Sequence, residues 1–179
     1  MLRVFVFALV LAISPAIAQE EPIEFSDYGS GFKLVSIDEE GAIATFQGHV
    51  ITTGTIFFLF EPKDEKRHRM TGLRAAKFFP DEQSRSRLPS VISGPHPSPI
   101  KYVSLEPAEM ALEQVVGKES AVRMSRGTKI VVRRKVKVVF YDYVASVDCD
   151  SRNYFSSQWL VTPLVDQRFA SGLSLPHGC

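Results

Sequence analysis

Apolar and charged residues alternate most regularly between Thr128 and Tyr143. The apolar set is Ile130, Val132, Val136, Val138 and Phe140, and the basic set is Lys129, Arg133, Lys135 and Lys137. Because side chains point to opposite faces of a strand with a period of two, this segment is predicted to be a strand with one buried face. Arg134 interrupts the apolar set, which predicts a β-bulge near Arg133–Arg134.

A second β-rich segment spans Ala42 to Phe60, where β-branched and aromatic residues dominate. Gly48 and Gly54 interrupt it, and the pattern allows either a hairpin turning near Thr52–Gly54 or one long strand bent at Gly48. Shorter strands are predicted at Phe32–Ile37, Leu73–Phe79, Ile100–Leu105, Val144–Val147 and Phe155–Val161.

One segment has helical periodicity. Its apolar residues recur at intervals of three and four, at Ala108, Ala111, Leu112, Val115 and Val116. Pro107 suits the start of a helix and Gly117 suits its end. The sequence therefore predicts a single amphipathic helix whose apolar stripe serves packing.

The order of these elements is a long bent strand, two strands, a helix and two further strands. This order resembles the OB arrangement, a small five-stranded barrel with a helix between its third and fourth strands. The predicted fold is a mainly β, OB-like barrel, and the alternative is a curved antiparallel sheet with one packed helix. Neither fold by itself indicates a function.

The first 18 residues predict a cleaved signal peptide. Arg3 precedes an apolar run, Pro15 ends that run, and Ala16-Ile17-Ala18 fits a signal peptidase site. No cysteine follows the run, so a lipoprotein is not expected. We therefore expect a periplasmic or secreted protein, with no membrane span after cleavage.

Residues 19–179 are predicted to form one β-rich domain, a size typical of single domains. Three parts of it are expected to lack regular structure: a loosely held segment at 19–31, a proline-rich loop at 81–99, and a tail at 163–179. Export places the only two cysteines, Cys149 and Cys179, in an oxidising compartment. A disulfide between them would fasten the tail to the domain. Two free thiols or an interchain bond are the alternatives.

Charge is balanced overall but unevenly distributed. The chain has 21 basic and 20 acidic residues, and Arg3 is the only one of these charged residues that lies in the leader. Residues 19–61 hold eight acids and one base, whereas residues 63–137 hold seventeen bases and eight acids. This balance argues against a protein that binds nucleic acid with its whole surface.

Recognisable catalytic and cofactor motifs are absent from the sequence. It contains no G-x-S-x-G and no glycine-rich phosphate loop, so no catalytic residue and no cofactor are assigned. His49, beside Gly48, is the only histidine considered as a site residue. Asp142, Asp148 and Asp150 could line one strand face around calcium, but aspartates are also common at strand ends, and no metal site is assigned.

The basic residues Lys129, Arg133, Lys135 and Lys137 give the only indication of function. Such a stripe attracts anions, but lysines also protect exposed strand edges. Nucleic acid is not expected outside the cytoplasm, and the nearest aromatics in sequence, Phe140 and Tyr141, lie only at the end of the basic run. The sequence favours a non-catalytic binding module for an anionic envelope polymer or an acidic protein. The alternatives are a small envelope hydrolase without a recognisable motif, and an inhibitor-like or structural protein that presents the 81–99 loop.

Overall fold

A computed structural model describes residues 24–26, 31–40, 42–61, 72–91, 99–125, 131–148 and 151–164. Its strands are β1 (Phe25–Ser26), β2 (Phe32–Ile37), β3 (Ile43–Glu61), β4 (Gly72–Pro80), β5 (Ser90–Val91), β6 (Val103–Leu105), β7 (Val131–Asp148), β8 (Ser151–Ser156) and β9 (Trp159–Pro163). Its helices are α1 (Glu82–Arg85), α2 (Ala108–Val116) and α3 (Lys118–Ser125).

Five strands pair in a closed ring. β3 pairs with β4, β4 with β6, β6 with β8, β8 with β7, and β7 returns to pair with β3. Only the β6–β8 pairing is parallel within this ring. This is the strand order of an OB barrel, with α2 and α3 between the third and fourth barrel strands, so the predicted OB-like architecture is confirmed. β2 and β9 extend the sheet along β3 and β7.

The barrel interior is filled from alternate positions of the two long strands. β3 turns Phe46, Val50, Thr52, Ile56, Phe58 and Phe60 inward, and β7 turns Val132, Val136, Val138, Phe140, Tyr143 and Ala145 inward. Aromatic side chains dominate this core and meet mostly edge to face, as in the pair Phe78–Phe140 with ring centroids 5.8 Å apart. Burial of these side chains is the main contribution to barrel stability.

Helix α2 matches the predicted helix and packs against the barrel. Ala111, Leu112 and Val115 are buried in the core cluster, and Gly117 ends the helix with a positive φ of 82°. The side-chain oxygen of Gln114 accepts a hydrogen bond from the Val161 amide of β9, 2.7 Å away. Helix α3, which the sequence analysis did not predict, follows directly. No helix among the described residues is long and apolar enough to cross a bilayer.

Strand β3 is one long strand and contains no hairpin. Its register with β7 passes from Gln47 opposite Asp142 to Val50 opposite Phe140, so Gly48 and His49 together face Tyr141. This is a β-bulge, and glycine is required there because a Cβ on Gly48 would lie 2.1 Å from the Gly31 carbonyl oxygen. Of the two interpretations that the sequence allowed, the long strand bent at Gly48 is the one observed.

The predicted bulge near Arg133–Arg134 is wrong. Pairing between β7 and β3 is continuous from Val131 to Phe140, and Arg134 lies opposite Ile56. Arg134 therefore keeps the inward alternation and is buried in the barrel wall, only 7% exposed. The apolar residues on both sides of it fix the register, and a single polar residue does not shift it.

Part of the segment 81–99 is ordered, unlike the predicted loop. Asp81 caps α1 by accepting a hydrogen bond from the Ser84 amide at 2.8 Å. Further on, β5 pairs with β1, and the Val91 amide donates to the Tyr154 hydroxyl. Residues 92–98 lie outside the described residues.

The strand boundaries also differ from the predicted ones: β7 continues to Asp148 as one strand, and the last predicted strand is divided into β8 and β9.

Candidate anion-binding face

Three of the four predicted basic residues lie on the outer face of β7. Arg133 and Lys135 are exposed and Lys137 is half-buried. The intervening residues Val132, Val136 and Val138 are buried in the barrel, so the alternation of the sequence becomes an outer basic side and an inner apolar side. Lys129, the fourth predicted residue, lies outside the described residues.

Neighbouring strands place further side chains beside these cations. Phe57 of β3 pairs with Arg133 on one side and with Lys77 of β4 on the other. Directly paired residues of antiparallel strands project to the same face, so Lys77 joins the outer surface of β7. We call Arg133, Lys135, Lys137 and Lys77 the basic face. Sequence reasoning missed Lys77 because its nearest base on this face lies 56 positions away along the chain.

Three aromatic rings run between the cations of the basic face. Phe57 and Phe79 meet edge to face with centroids 5.0 Å apart, and Phe79 and Tyr102 are 5.7 Å apart. We call Phe57, Phe79 and Tyr102 the aromatic row. The aromatic residues nearest to the basic run in sequence are Phe140 and Tyr141, whereas the rings of the aromatic row come from β3, β4 and the residue preceding β6.

The ends of the aromatic row each carry a cation. The Lys77 Nζ lies 3.9 Å from the centroid of the Tyr102 ring, and the Arg133 Cζ lies 5.6 Å from the centroid of the Phe57 ring. Both distances fall within the range of cation–π attraction. The rings therefore orient two of the four cations without neutralising their charge.

Acids are absent from the strand positions that form this face. Every charged residue at the outward positions of this surface is basic. These positions lie within residues 53–59 of β3, 75–79 of β4 and 133–137 of β7. At the edge of the face, the Asp81 carboxylate accepts a hydrogen bond from the Thr53 hydroxyl. Burial raises the pKa of Asp81, but hydrogen bonds from Thr53 and Ser84 outweigh it and hold the pKa below its ordinary value.

Asp142 is engaged by hydrogen bonds from the end of β8 and from the segment that joins β8 to β9. Its carboxylate accepts hydrogen bonds from the Ser156 hydroxyl at 2.6 Å, the Ser157 amide at 2.9 Å, the Ser157 hydroxyl and the Gln158 amide at 2.8 Å. Burial raises the pKa of Asp142, but the hydrogen bonds outweigh burial and hold the pKa below its ordinary value. Asp148 lies six residues on at the end of β7, and Asp150 is outside the described residues. The described residues contain no group of three or more potential metal ligands.

His49 lies on the outer surface of the bulge in β3. Its ring is exposed and lies 5.6 Å from the ring of Tyr141, the residue opposite the bulge. A catalytic histidine would need a nucleophile or carboxylate and a pocket beside it. The contact described for the His49 side chain is the one with the Tyr141 ring.

A cavity of about 420 Å³ lies where β4 continues beyond the end of β6. Small residues such as Ala75, Ala76 and Ala108 are part of its lining. Arg74, Glu106 and Glu109 line the cavity as well. Acid–base chemistry in this cavity would have to involve Glu106 or Glu109, because its described lining contains no histidine.

The predicted disulfide lies outside the described residues, since neither Cys149 nor Cys179 is among them. The same holds for the leader at 1–18 and for the tail from residue 165 onward. The disulfide, the leader and the tail therefore remain predictions from the sequence.

Comparison of the chain with protein families, with curated proteins and with solved structures finds no match in any of the three.

Proposed function

We propose that this protein is an exported, non-catalytic binding module that binds an anionic envelope partner through its basic face. The observation that supports the proposal is the grouping of four cations, with no acid at the described outward strand positions, on one side of a barrel whose sequence has almost balanced charge. A protein with little net charge gains attraction for anions only where its charges are segregated.

The attraction expected of such a face is local and dependent on salt. Exposed charges are screened over about 8–10 Å at ordinary ionic strength, so a ligand must place its anions against the face to gain from it. Arg133 and Lys135 are separated by one period of the strand, about 6.6 Å, as are Lys135 and Lys137. A partner with repeated anionic groups can contact several of these cations at once.

Charge reversal on β7 tests the proposal. The variant Lys135→Glu/Lys137→Glu is expected to lose retention on a sulfonate-bearing resin at low salt, where the wild-type protein is retained. A matched control, Lys33→Glu/Lys118→Glu, makes the same change in net charge at exposed positions of β2 and α3. Retention of the control close to that of the wild type would assign binding to the basic face.

Two outcomes would contradict the proposal. Equal loss in both double variants would mean that net charge alone determines retention. Unchanged retention of Lys135→Glu/Lys137→Glu would mean that these lysines do not meet the anion. Thermal unfolding of each variant serves as the control for folding. Little change is expected at the exposed positions Lys33, Lys118 and Lys135, where substitutions usually alter stability by less than about 0.5 kcal/mol, and a somewhat larger change is expected at the half-buried Lys137.

Export is the part of the proposal that rests on the sequence alone. The mass of the protein purified from a periplasmic fraction is expected to correspond to a chain starting at Gln19. Alkylation without reductant is expected to leave Cys149 and Cys179 unlabelled, as an intrachain disulfide requires. A full-length cytoplasmic product, or two labelled thiols, would contradict these expectations.

A further inference from the structure

Two cations of the basic face are held differently from the other two. Arg133 lies over Phe57 and Lys77 lies over Tyr102, and the rings beneath them come from other strands or from the residue preceding β6. For Lys135 and Lys137 the contacts described are those of the strand backbone. The ring-mounted cations therefore have their positions defined before any ligand arrives, which lowers the entropy lost on binding.

The rings of the aromatic row are occupied by contacts within the protein. Phe57 is only 8% exposed, although it lies on the outer side of β3. Its ring is close to Arg133 and to the edge of Phe79, and Tyr102 contacts both Phe79 and Lys77. Nucleobases bind such surfaces by stacking on open aromatic faces. Rings that already carry cations are poorly suited to that role.

Arg133 and Lys77 define a direction across the sheet. Both pair with Phe57, so they lie in one row with a single strand between them. Two strand spacings place their Cα atoms about 10 Å apart. A ligand that contacts both must cross β3, whereas a ligand that contacts only Arg133, Lys135 and Lys137 runs along β7.

Among the described residues, the row that joins Arg133 to Lys77 carries no exposed large hydrophobic side chain. Such side chains border the basic face away from that row, at Leu164, whose amide donates to the Lys135 carbonyl oxygen, and at Ile51 and Leu160, which both pair with Val139. The core of a protein–protein interface is normally apolar and depleted in charge. A charged surface with cations fixed on rings is better suited to a flexible anionic polymer than to a folded acidic protein.

We propose, on the basis of the function proposed above, that the ligand is a non-aromatic polymer bearing phosphate or sulfate groups. It crosses from β7 to β4 and bridges Arg133 and Lys77. Arg133 presents its planar guanidinium to one anionic group and Lys77 its ammonium to another. Phe57 and Tyr102 act as positioning residues that hold the two cations.

Binding of long-chain inorganic polyphosphate, measured over a range of salt concentrations, tests this inference. Lys77→Gln is expected to weaken binding severalfold and to reduce the slope of log affinity against log salt by about one, because one anion contact is lost. Lys101→Gln is the matched control, since Lys101 is exposed and only three residues from Ser104, the partner of Lys77 in β6. It is expected to change the affinity less than twofold.

Substitution of Tyr102 tests the positioning role separately. Tyr102→Leu is expected to weaken polyphosphate binding about two- to fivefold with an unchanged salt slope, because the cation–π contact is lost while every charge remains. Tyr102→Phe keeps the ring and is expected to bind like the wild type. Dextran sulfate in place of polyphosphate distinguishes sulfate from phosphate as the anionic group.

Several outcomes would overturn the inference. If Lys77→Gln changes neither affinity nor slope while Lys135→Glu/Lys137→Glu abolishes binding, the ligand runs along β7, and the proposed function stands without this inference. If an oligothymidylate binds more tightly than polyphosphate and quenches the tyrosine fluorescence, the ligand is nucleic acid. If polyglutamate binds as tightly as polyphosphate, an acidic polypeptide is the partner.

Discussion

The Tyr143 hydroxyl is buried in the barrel without a hydrogen-bond partner among the described residues. Its ring is fully buried and packs between Phe32, Phe140 and Tyr154, with centroids 5.5 to 6.2 Å away. Burial, together with the nearby Tyr154, raises the pKa of Tyr143 well above 10.0. We predict that Tyr143→Phe stabilises the protein, because it removes the polar group and keeps the ring.

The expected gain is set by desolvation of one hydroxyl. An unsatisfied buried polar group costs roughly 1–3 kcal/mol, and the ring contacts are unchanged in the variant, so a gain of about 1 kcal/mol in the free energy of unfolding is expected. For a domain of this size that corresponds to a rise in Tm of roughly 2–4 °C. The gain should grow above pH 10, because the unfolded state of the wild type can then ionise Tyr143 while the folded state cannot.

Tyr154→Phe is the matched control in the same cluster. The Tyr154 hydroxyl accepts a hydrogen bond from the Val91 amide at 3.4 Å, so its removal leaves a buried amide without this acceptor. A fall in Tm is expected for this variant, opposite in sign to that of Tyr143→Phe. Thermal and urea unfolding followed by circular dichroism measure both. A loss of 1 kcal/mol or more in Tyr143→Phe would refute the reasoning, because it would mean that the hydroxyl has a favourable interaction.

Two further predictions concern the strands that position the basic face. Gly54→Ala is expected to destabilise the protein by about 3 kcal/mol, since a Cβ would lie 2.2 Å from the Phe79 carbonyl oxygen and 2.8 Å from the Phe78 ring. Urea unfolding measures this loss of stability. A loss no larger than that of Thr55→Ala would contradict the prediction. Asp142→Asn is expected to lower Tm by a few degrees at pH 7, because several donors bind the carboxylate. Since the pKa of Asp142 is lowered in the folded state, its contribution is present above about pH 4 and disappears as the pH falls through the folded pKa, so the Tm values of wild type and variant should converge in acid. A difference that stays constant down to pH 2 would show that the charge of Asp142 is not responsible.

Much of the fold follows from local patterns in the sequence. Alternation in 128–143 predicted strand β7 and its basic side, and the helical spacing from Ala108 to Val116 predicted α2. The order of elements then favoured a barrel of the OB type, with a curved antiparallel sheet and one packed helix as the alternative. These features are accessible because period-two and period-3.6 patterns report which side of an element is buried, whatever that element packs against.

Tertiary structure decided which residues meet on the basic face. Phe57 and Lys77 are far from Arg133 in the chain and join it in one row through the pairing of β7 with β3 and of β3 with β4. Tyr102 reaches Lys77 from the residue before β6, which pairs with β4. Tertiary structure also decided that Arg134 remains inside the barrel wall, where the alternation alone had suggested a bulge. Strand register determines both results, and register is fixed by core packing across the closed barrel and not by the spacing of residues within one strand.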